Sequence, residues 1–174
     1  PRDMRMDLDQ DTTAEALVNT LPAEELTHLL ETLGEERFAR RIAGRIVEER
    51  RTQPLTTTKQ LASLVVRAIP AGARHGRLHA ATRTFQALRM AVNDELGALE
   101  ALLAQLPALL KSGARAVIIT FHSLEDRLVK RAFLEGKDRG VWTVLTKKPQ
   151  RPSAEEAADN PRARSAKLRA VERR

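Results

Sequence analysis

The run Phe121-His122-Ser123-Leu124-Glu125-Asp126-Arg127 gathers an imidazole, a hydroxyl, two carboxylates and a guanidinium within seven positions. It directly follows Ala114-Arg115-Ala116-Val117-Ile118-Ile119-Thr120-Phe121, a β-branched run that reads as a strand covered on both faces. In open α/β sheets ligands bind beyond the carboxyl ends of the strands, where helix N-termini present free N–H groups. His122 and Ser123 would stand there. Ser123 and Asp126 have the spacing of a capping box, which predicts a helix to about Glu135. On that helix Arg127, Lys130 and Arg131 recur at i, i+3 and i+4 and form one basic stripe. The same residues equally fit a plain capped helix, its acids offsetting the positive end and its cations in solvent. Spacing alone leaves both readings open.

Two further groups carry polar chemistry. In Thr82-Arg83-Thr84-Phe85-Gln86-Ala87-Leu88-Arg89, Thr82 can cap a helix on which Arg83, Gln86 and Asn93 share a face while Arg89 points elsewhere. In Asn160-Pro161-Arg162-Ala163-Arg164-Ser165-Ala166-Lys167, a rigid turn carries three cations suited to phosphate. The basic loop 70–80, with Arg74, His75, Arg77 and His79, suits either a phosphate-facing or an ordinary surface loop. There is no GxGxxG, P-loop, HExxH or Ser–His–Asp spacing, and no histidine cluster suited to a metal.

The elements that must position these groups are mostly helical. Thr12-x-x-Glu15 opens a short helix, Pro22 starts one with Leu26, Leu29, Leu30 and Leu33 on one face, and Gly34 offers its stop. A third helix from Glu35 carries Phe38, Ile42 and Ile46 inward and Arg37, Arg40, Arg41 and Arg45 outward. Pro54 ends it. Thr57-x-x-Gln60 caps a fourth, which Pro70 closes. A single long helix is expected from Thr82 to Gln105. After it come the strand at 114–121, a strand at 141–146, a short helix opened by Ser153-x-x-Glu156 and a final strand over 167–172. Strand–helix–strand units call for a larger parallel sheet, and no earlier strands are visible.

Composition narrows the function. The chain has 174 residues, 42% of them apolar, and no cysteine, which excludes disulfides, thiolate metal sites and cysteine nucleophiles within it. A net charge of +7 favours a polyanionic partner, and 11 basic against 5 acidic residues lie between Lys137 and Arg174. Aromatics are only 3% and tyrosine is absent, so a stacking platform for single strands is not expected and contacts to nucleic acid must rest on Arg and Lys. No apolar run reaches membrane length, and the first residues lack the apolar stretch of a secretory signal. The chain does not begin with Met.

Taken in order, Asp3-Met4-Arg5-Met6-Asp7, Gly34 to Ala43 (GEERFARRIA), Ala81 to Arg89 (ATRTFQALR), Val92 to Leu96 (VNDEL), Phe121 to Arg131 (FHSLEDRLVKR), Leu145 to Pro149 (LTKKP) and Asn160 to Arg169 (NPRARSAKLR) resemble one family. It is the bacterial small-subunit rRNA methyltransferase H, or MraW-type, family, and the resemblance runs through essentially the whole chain. It implies an α/β fold: part of a Rossmann-like, S-adenosylmethionine-dependent methyltransferase sheet with an inserted all-helical domain. Residues 1–8 would connect from an N-terminal half, 9–95 would be the insert, and 96–174 would return to the sheet. The implied activity is methyl transfer from S-adenosylmethionine to the N4 amine of a cytidine at the decoding centre of 16S rRNA.

With that activity as the expectation, the polar groups read above are given roles as a hypothesis. His122, Ser123 and Glu125 would line the rim of the catalytic pocket, with Asp126 and Arg127 fixing it. Arg83, Arg89, Lys130, Arg131, Arg162 and Arg164 would hold rRNA phosphates or brace the fold. The family's glycine-rich cofactor turn precedes the Asp-Met-Arg-Met-Asp string, so this chain is expected to be the C-terminal part of a longer enzyme, inactive alone, and no cofactor-binding residue is carried over. Ala80 stands where the family usually has Pro. The implied partners are 16S rRNA and the small ribosomal subunit, in the cytoplasm and away from membranes, with monomer and homodimer both open. The alternative is a non-catalytic, basic RNA- or ribosome-binding helical module.

Overall fold

A computed structural model describes residues 3–74 and 79–174. The chain divides into two compact units, residues 1–95 and 96–174.

The first unit is helical: α1 (Ala14–Thr20), α2 (Ala23–Thr32), α3 (Ala39–Arg50), α4 (Thr58–Ala68) and α5 (Thr82–Asn93). α2 packs on α3 and α5, and α3 on α4. Leu26, Leu30, Ile42, Ile46, Leu61, Leu64, Val65 and Leu88 fill the core at 2% exposure or less. These are the positions the one-face spacing selects, because burial follows the apolar stripe of each amphipathic helix. Thr57 and Gln60 form the expected reciprocal box. α1 is capped one residue later than Thr12-x-x-Glu15 predicts: Thr13 Oγ1 accepts from Ala16 N at 3.1 Å. Its N3 residue is an alanine, so no box closes.

Gly34 follows α2 as expected, but for a different reason. The left-handed residue is Glu35, at φ 47°. A Cβ on Gly34 would lie 2.7 Å from the Leu30 carbonyl oxygen and 2.9 Å from that of Arg83, so glycine is needed for close approach of α5.

The long helix expected over 82–105 is two helices. α5 ends at Asn93, Asp94 adopts φ 45°, ψ 45°, and α6 (Glu95–Leu109) begins after it. Asp tolerates this conformation better than most residues, and an unbroken apolar stripe does not reveal a one-residue break. Asn93 is drawn into other bonds. Its amide donates to the carbonyls of Met4 and Arg89, both at 2.8 Å, and its Oδ1 accepts from Met6 N at 2.7 Å. The string 3–7 is thereby laced to α5. Arg5 folds back on Asp3 and on the carbonyls of Leu8 and Gln10. This pairing, chiefly its hydrogen bonds, holds the Asp3 carboxyl below its ordinary pKa.

The second unit contains α6, β1 (Arg115–Thr120), α7 (Ser123–Asp138), β2 (Trp142–Val144), α8 (Ala154–Asp159), a 3-10 turn at Pro161–Ser165 and β3 (Lys167–Arg173). The strands form one sheet in the order β1-β3-β2. Both ladders are antiparallel, with Ala116 opposite Val171 and Val144 opposite Val171. The expected parallel pairing is therefore not found among the described residues. β1 and β2 do run in the same direction, but β3 lies between them, so α7 crosses over a strand that arrives later in the chain. β3 reads as an ordinary alternating strand in sequence, and nothing local announces that it inserts between two earlier ones.

One face of the sheet is packed: Ala116, Val129, Phe133, Trp142 and Val171 form its core, with Leu99, Leu103 and Leu106 of α6 against it. The other face of β1 is open. Val117 and Ile119 are 56% and 53% exposed, and Phe121 beyond them 51%, so the strand is covered on one face and not on both as its apolar run predicts. Glycine shapes the packed face as well. Gly136 of α7 has Trp142 lying directly on it, where a side chain would collide with the indole.

Candidate active site at the start of α7

The chemistry-bearing run 121–127 bridges β1 and α7, as its sequence predicts, but the helix is capped differently. His122, not Ser123, is the N-cap residue, extended at φ −138°, ψ 171°. Its Nδ1 accepts from Glu125 N at 3.4 Å, while Glu125 Oε2 accepts from the backbone N–H of Phe121 at 2.8 Å and of His122 at 3.3 Å. This is a capping box with an imidazole in the place that Ser or Thr usually takes, an arrangement the S/T-based pattern does not signal. Ser123 is then the first helical residue and is exposed.

The box fixes the chemistry of both side chains. A neutral imidazole that accepts through Nδ1 carries its proton on Nε2. That atom is buried, 3.3 Å from Glu125 Oε1, close enough for electrostatic attraction but off hydrogen-bond geometry, and without a hydrogen-bond partner among the described residues. Burial pushes the Glu125 carboxyl up. The His122 side chain and the two N–H donors outweigh it, and the pKa lies below the ordinary carboxylate value. Glu125 is thus an ionised acceptor at neutral pH, suited to holding an N–H group in place and too weak a base to remove its proton.

Asp126 points the other way, toward β3. Its carboxylate accepts from Arg169 Nε at 2.7 Å and Nη2 at 3.3 Å, and from Lys167 Nζ at 3.2 Å. Burial raises its pKa, the two cations lower it, and the cations prevail. Arg169 and Asp126 are almost out of solvent, at 7% and 14% side-chain exposure, so this ion triad clamps the first turn of α7 onto the central strand. Reading the sequence alone misses Arg169. Its one signal is alternation: Arg169 stands two positions before Val171, on the same side of the strand as that core residue.

The cations expected to touch phosphate fall into three groups. Arg83 donates to the Glu35 carbonyl at 2.6 Å, and Arg89 makes a two-pronged pair with Glu95 at 2.6 and 2.9 Å. Both brace the helical unit. Gln86 does likewise, reaching Leu33 O at 3.4 Å, so Arg83 and Gln86 both hold the turn after α2, whereas Asn93 holds the string 3–7. Arg131 pairs with Glu135 at 2.8 Å on the surface of α7, and Arg127 is also exposed on that helix. Lys130, Arg162 and Arg164 are exposed, with no ion-pair partner among the described residues. Of the three cations in the 160–167 turn, Lys167 is committed to Asp126. Arg74 donates to Ile69 O, His79 Nδ1 accepts from Ala81 N, and His75 and Arg77 lie outside the described residues. No described helix is long and apolar enough to cross a membrane.

Comparison with known proteins identifies relatives along the whole chain. The chain is 57% identical over 173 residues to a protein of Cyanothece sp. named ribosomal RNA small subunit methyltransferase H, covering 99% of this chain and 56% of that one. The proteins of the same name from Synechocystis sp. and Acidobacterium capsulatum are 53% and 52% identical, with 99% and 100% of this chain covered and 55% and 57% of theirs. The chain thus spans a little over half the length of these relatives. The model of the MraW methylase family matches residues 1–174, and the chain belongs to that family.

Proposed function

We propose that the chain is the C-terminal part of an S-adenosylmethionine-dependent methyltransferase that modifies the exocyclic N4 amine of a cytidine in 16S rRNA, at the decoding centre, in the bacterial cytoplasm. Residues 96–174 complete a Rossmann-like sheet begun upstream, 1–8 lead out of it, and 9–95 are its helical insert. The open apolar face of β1 is consistent with a strand that has more protein to join. The names of the relatives support the rRNA substrate.

The observation that carries the reading is the His122–Glu125 box on an α7 locked to the sheet by Asp126. A cytidine amine is a poor nucleophile because its lone pair is delocalised into the ring. The protein's task is to present the base out of its stack and hold the amine in line with the methyl donor. Glu125, kept ionised, accepts from an N4–H. His122 Nε2 donates to a ring acceptor or to a carboxylate. Ser123, at the first helical position, contributes a hydroxyl at the rim. Asp126 and its cations keep these groups in place, and Arg127 stands behind them. Arg162 and Arg164 offer guanidinium groups to the RNA backbone, and Lys130 an ammonium.

The residues present do not fit the methyl donor itself. Among the described residues, one concavity is lined by Lys130, Lys137 and Lys147 and another by Arg40, Arg41, Arg45 and Arg51 with a single Glu48, both too cationic for a sulfonium. The donor's site is therefore assigned to sequence beyond these residues.

Methyl transfer to small-subunit RNA by the full-length protein tests the reading. Glu125→Gln keeps an oxygen to accept the cap bonds but removes the charge, and is expected to lower transfer roughly 10²-fold, the scale of a misplaced reactant. His122→Ala and Ser123→Ala should also lower it. Unchanged transfer in all three, with intact folding, refutes the pocket role. Retained RNA binding without any transfer by the unaltered protein would favour a non-catalytic RNA-binding module.

A further inference from the structure

A cavity of about 290 Å³ lies between the outer half of α7 and the β2 edge of the sheet, within the second unit. It is separate from the His122–Glu125 box. Its floor is apolar, made by Phe133, Leu134 and Val144, and three lysines surround it: Lys130 and Lys137 from α7 and Lys147 from the segment after β2. Among the described residues none of these lysines has an ion-pair partner, and no Asp or Glu lines the cavity. Arg169, also on the wall, is already neutralised by Asp126.

Two hydroxyls complete the lining. Thr146 Oγ1 accepts from Ala170 N at 2.9 Å, and Thr143 Oγ1 from Arg174 Nε at 3.1 Å, so each hydroxyl proton is left to donate. The segment carrying Lys147 is fixed, because Leu145 N and Thr146 N both donate to Ala170 O, at 3.0 and 3.3 Å. The walls are therefore set by the sheet itself.

The chemistry asks for a ligand with a flat or apolar part for the floor and an anion for the rim. The volume is at the lower limit of roughly 300–1,000 Å³ for small-molecule sites, room for one mononucleotide and not for a large cofactor. Inorganic phosphate would leave the apolar floor unused, and a fatty chain would leave the hydroxyls unused.

We propose that this cavity is a nucleotide subsite: it takes one nucleotide of single-stranded RNA flanking the modified position, its base on the floor and its phosphates among Lys130, Lys137 and Lys147. The proposal rests on the reading that the protein acts on RNA and adds where that RNA is gripped away from the reacting base. It separates Lys130 from Arg131, its neighbour on the stripe, which is turned to Glu135.

The test uses the full-length protein and a labelled single-stranded oligoribonucleotide, titrated across a salt series. Lys130→Ala/Lys137→Ala/Lys147→Ala should weaken binding about tenfold at 0.15 M salt. It should also flatten the slope of log affinity against log salt by roughly 0.7–1.4, about 0.7 per phosphate contact for a single strand. The corresponding Lys→Gln set preserves side-chain length and serves if the alanine protein does not fold. Photo-crosslinking of 4-thiouridine-containing RNA should label residues within 130–147. Unchanged affinity and slope, or crosslinks confined to other segments, overturn the proposal. Protection of the cavity by free cytidine 5′-monophosphate without any RNA crosslink there also overturns it, since the source would then be a free nucleotide. Methyl transfer by the unaltered protein, measured alongside, separates the two readings: its absence defeats the enzymatic assignment, whereas the subsite stands or falls on the affinities and crosslinks.

Discussion

Gly136→Ala isolates one packing contact and has a built-in sign. In most helices the change is favourable, by about 1 kcal/mol, because alanine loses less backbone entropy. At 136 the added methyl would overlap Cδ1 and Nε1 of Trp142, with Cγ 3.3 Å away. The indole is rigid and 3% exposed, packed among Val129, Phe133 and Val171, so it cannot swing aside as a flexible side chain would. Overpacking of this kind costs about 1–3 kcal/mol where the core can adjust. Full expulsion of the ring would forfeit some 150–250 Å² of burial, or about 4–6 kcal/mol at 25 cal/mol per Å². Against the helix gain, a net loss of about 2 kcal/mol is expected. Trp142 is the one tryptophan in the chain, so urea unfolding followed by its emission reads the unit in which the clash occurs. Emission should shift to the red in the native baseline and the midpoint should fall. Gly44→Ala is the control: a Cβ there meets nothing within 4 Å in the middle of α3, and stability by circular dichroism should rise by roughly 0.5–1 kcal/mol. A Gly136→Ala protein as stable as its parent, with unshifted emission, would refute the assigned contact.

Three further outcomes are expected. The folded pKa values of Glu125 and Asp126 lie below their ordinary 4.5 and 3.8. Their contribution is therefore complete above about pH 5 and lost as pH falls through the lowered values; Asp126→Asn should flatten that acid dependence and cost about 3 kcal/mol at neutral pH, because Arg169 is left buried and charged, as a urea-midpoint series against pH would show. Thr13→Ala should cost about 1 kcal/mol and Thr12→Ala almost nothing, which thermal unfolding of the pair distinguishes. If the turn 161–165 meets RNA backbone, Arg162→Ala and Arg164→Ala should each reduce the salt slope of RNA binding by about 0.7.

The helical unit was legible because each of its decisive signals is local. Leu26 and Leu30, Ile42 and Ile46, and Leu61 with Leu64 and Val65 repeat at helical spacing, and burial of one stripe is the only stable way to use them. The errors share a cause. The break at Asp94 leaves the apolar stripe intact, and the role of Gly34 depends on the Arg83 carbonyl, nearly fifty residues away. Sheet order is less local still. β1 and β2 look like the two strands of a crossover, and only the pairing of Ala116 and Val144 with the same Val171 shows that the C-terminal strand lies between them.

The candidate site shows the same division more sharply. Composition located the run 121–127 correctly at a strand end and helix start, since a β-branched run followed by polar capping residues permits little else. It gave the cap to Ser123, because hydroxyls are the usual acceptors. An imidazole can accept equally through Nδ1, and His122 does so only because its backbone is extended at the end of β1, which places its ring over the first turn of α7. That displacement by one residue changes the chemistry expected of the run. With Ser123 as cap, His122 and Glu125 would be independent side chains. With His122 as cap, the carboxylate is bound to two backbone N–H groups, held ionised, and faced by a buried Nε2. A group fixed in one ionisation state and one orientation suits the positioning of an amine better than the abstraction of its proton. What chemistry the run can offer is therefore set by the geometry of a helix cap, which residue types alone do not specify.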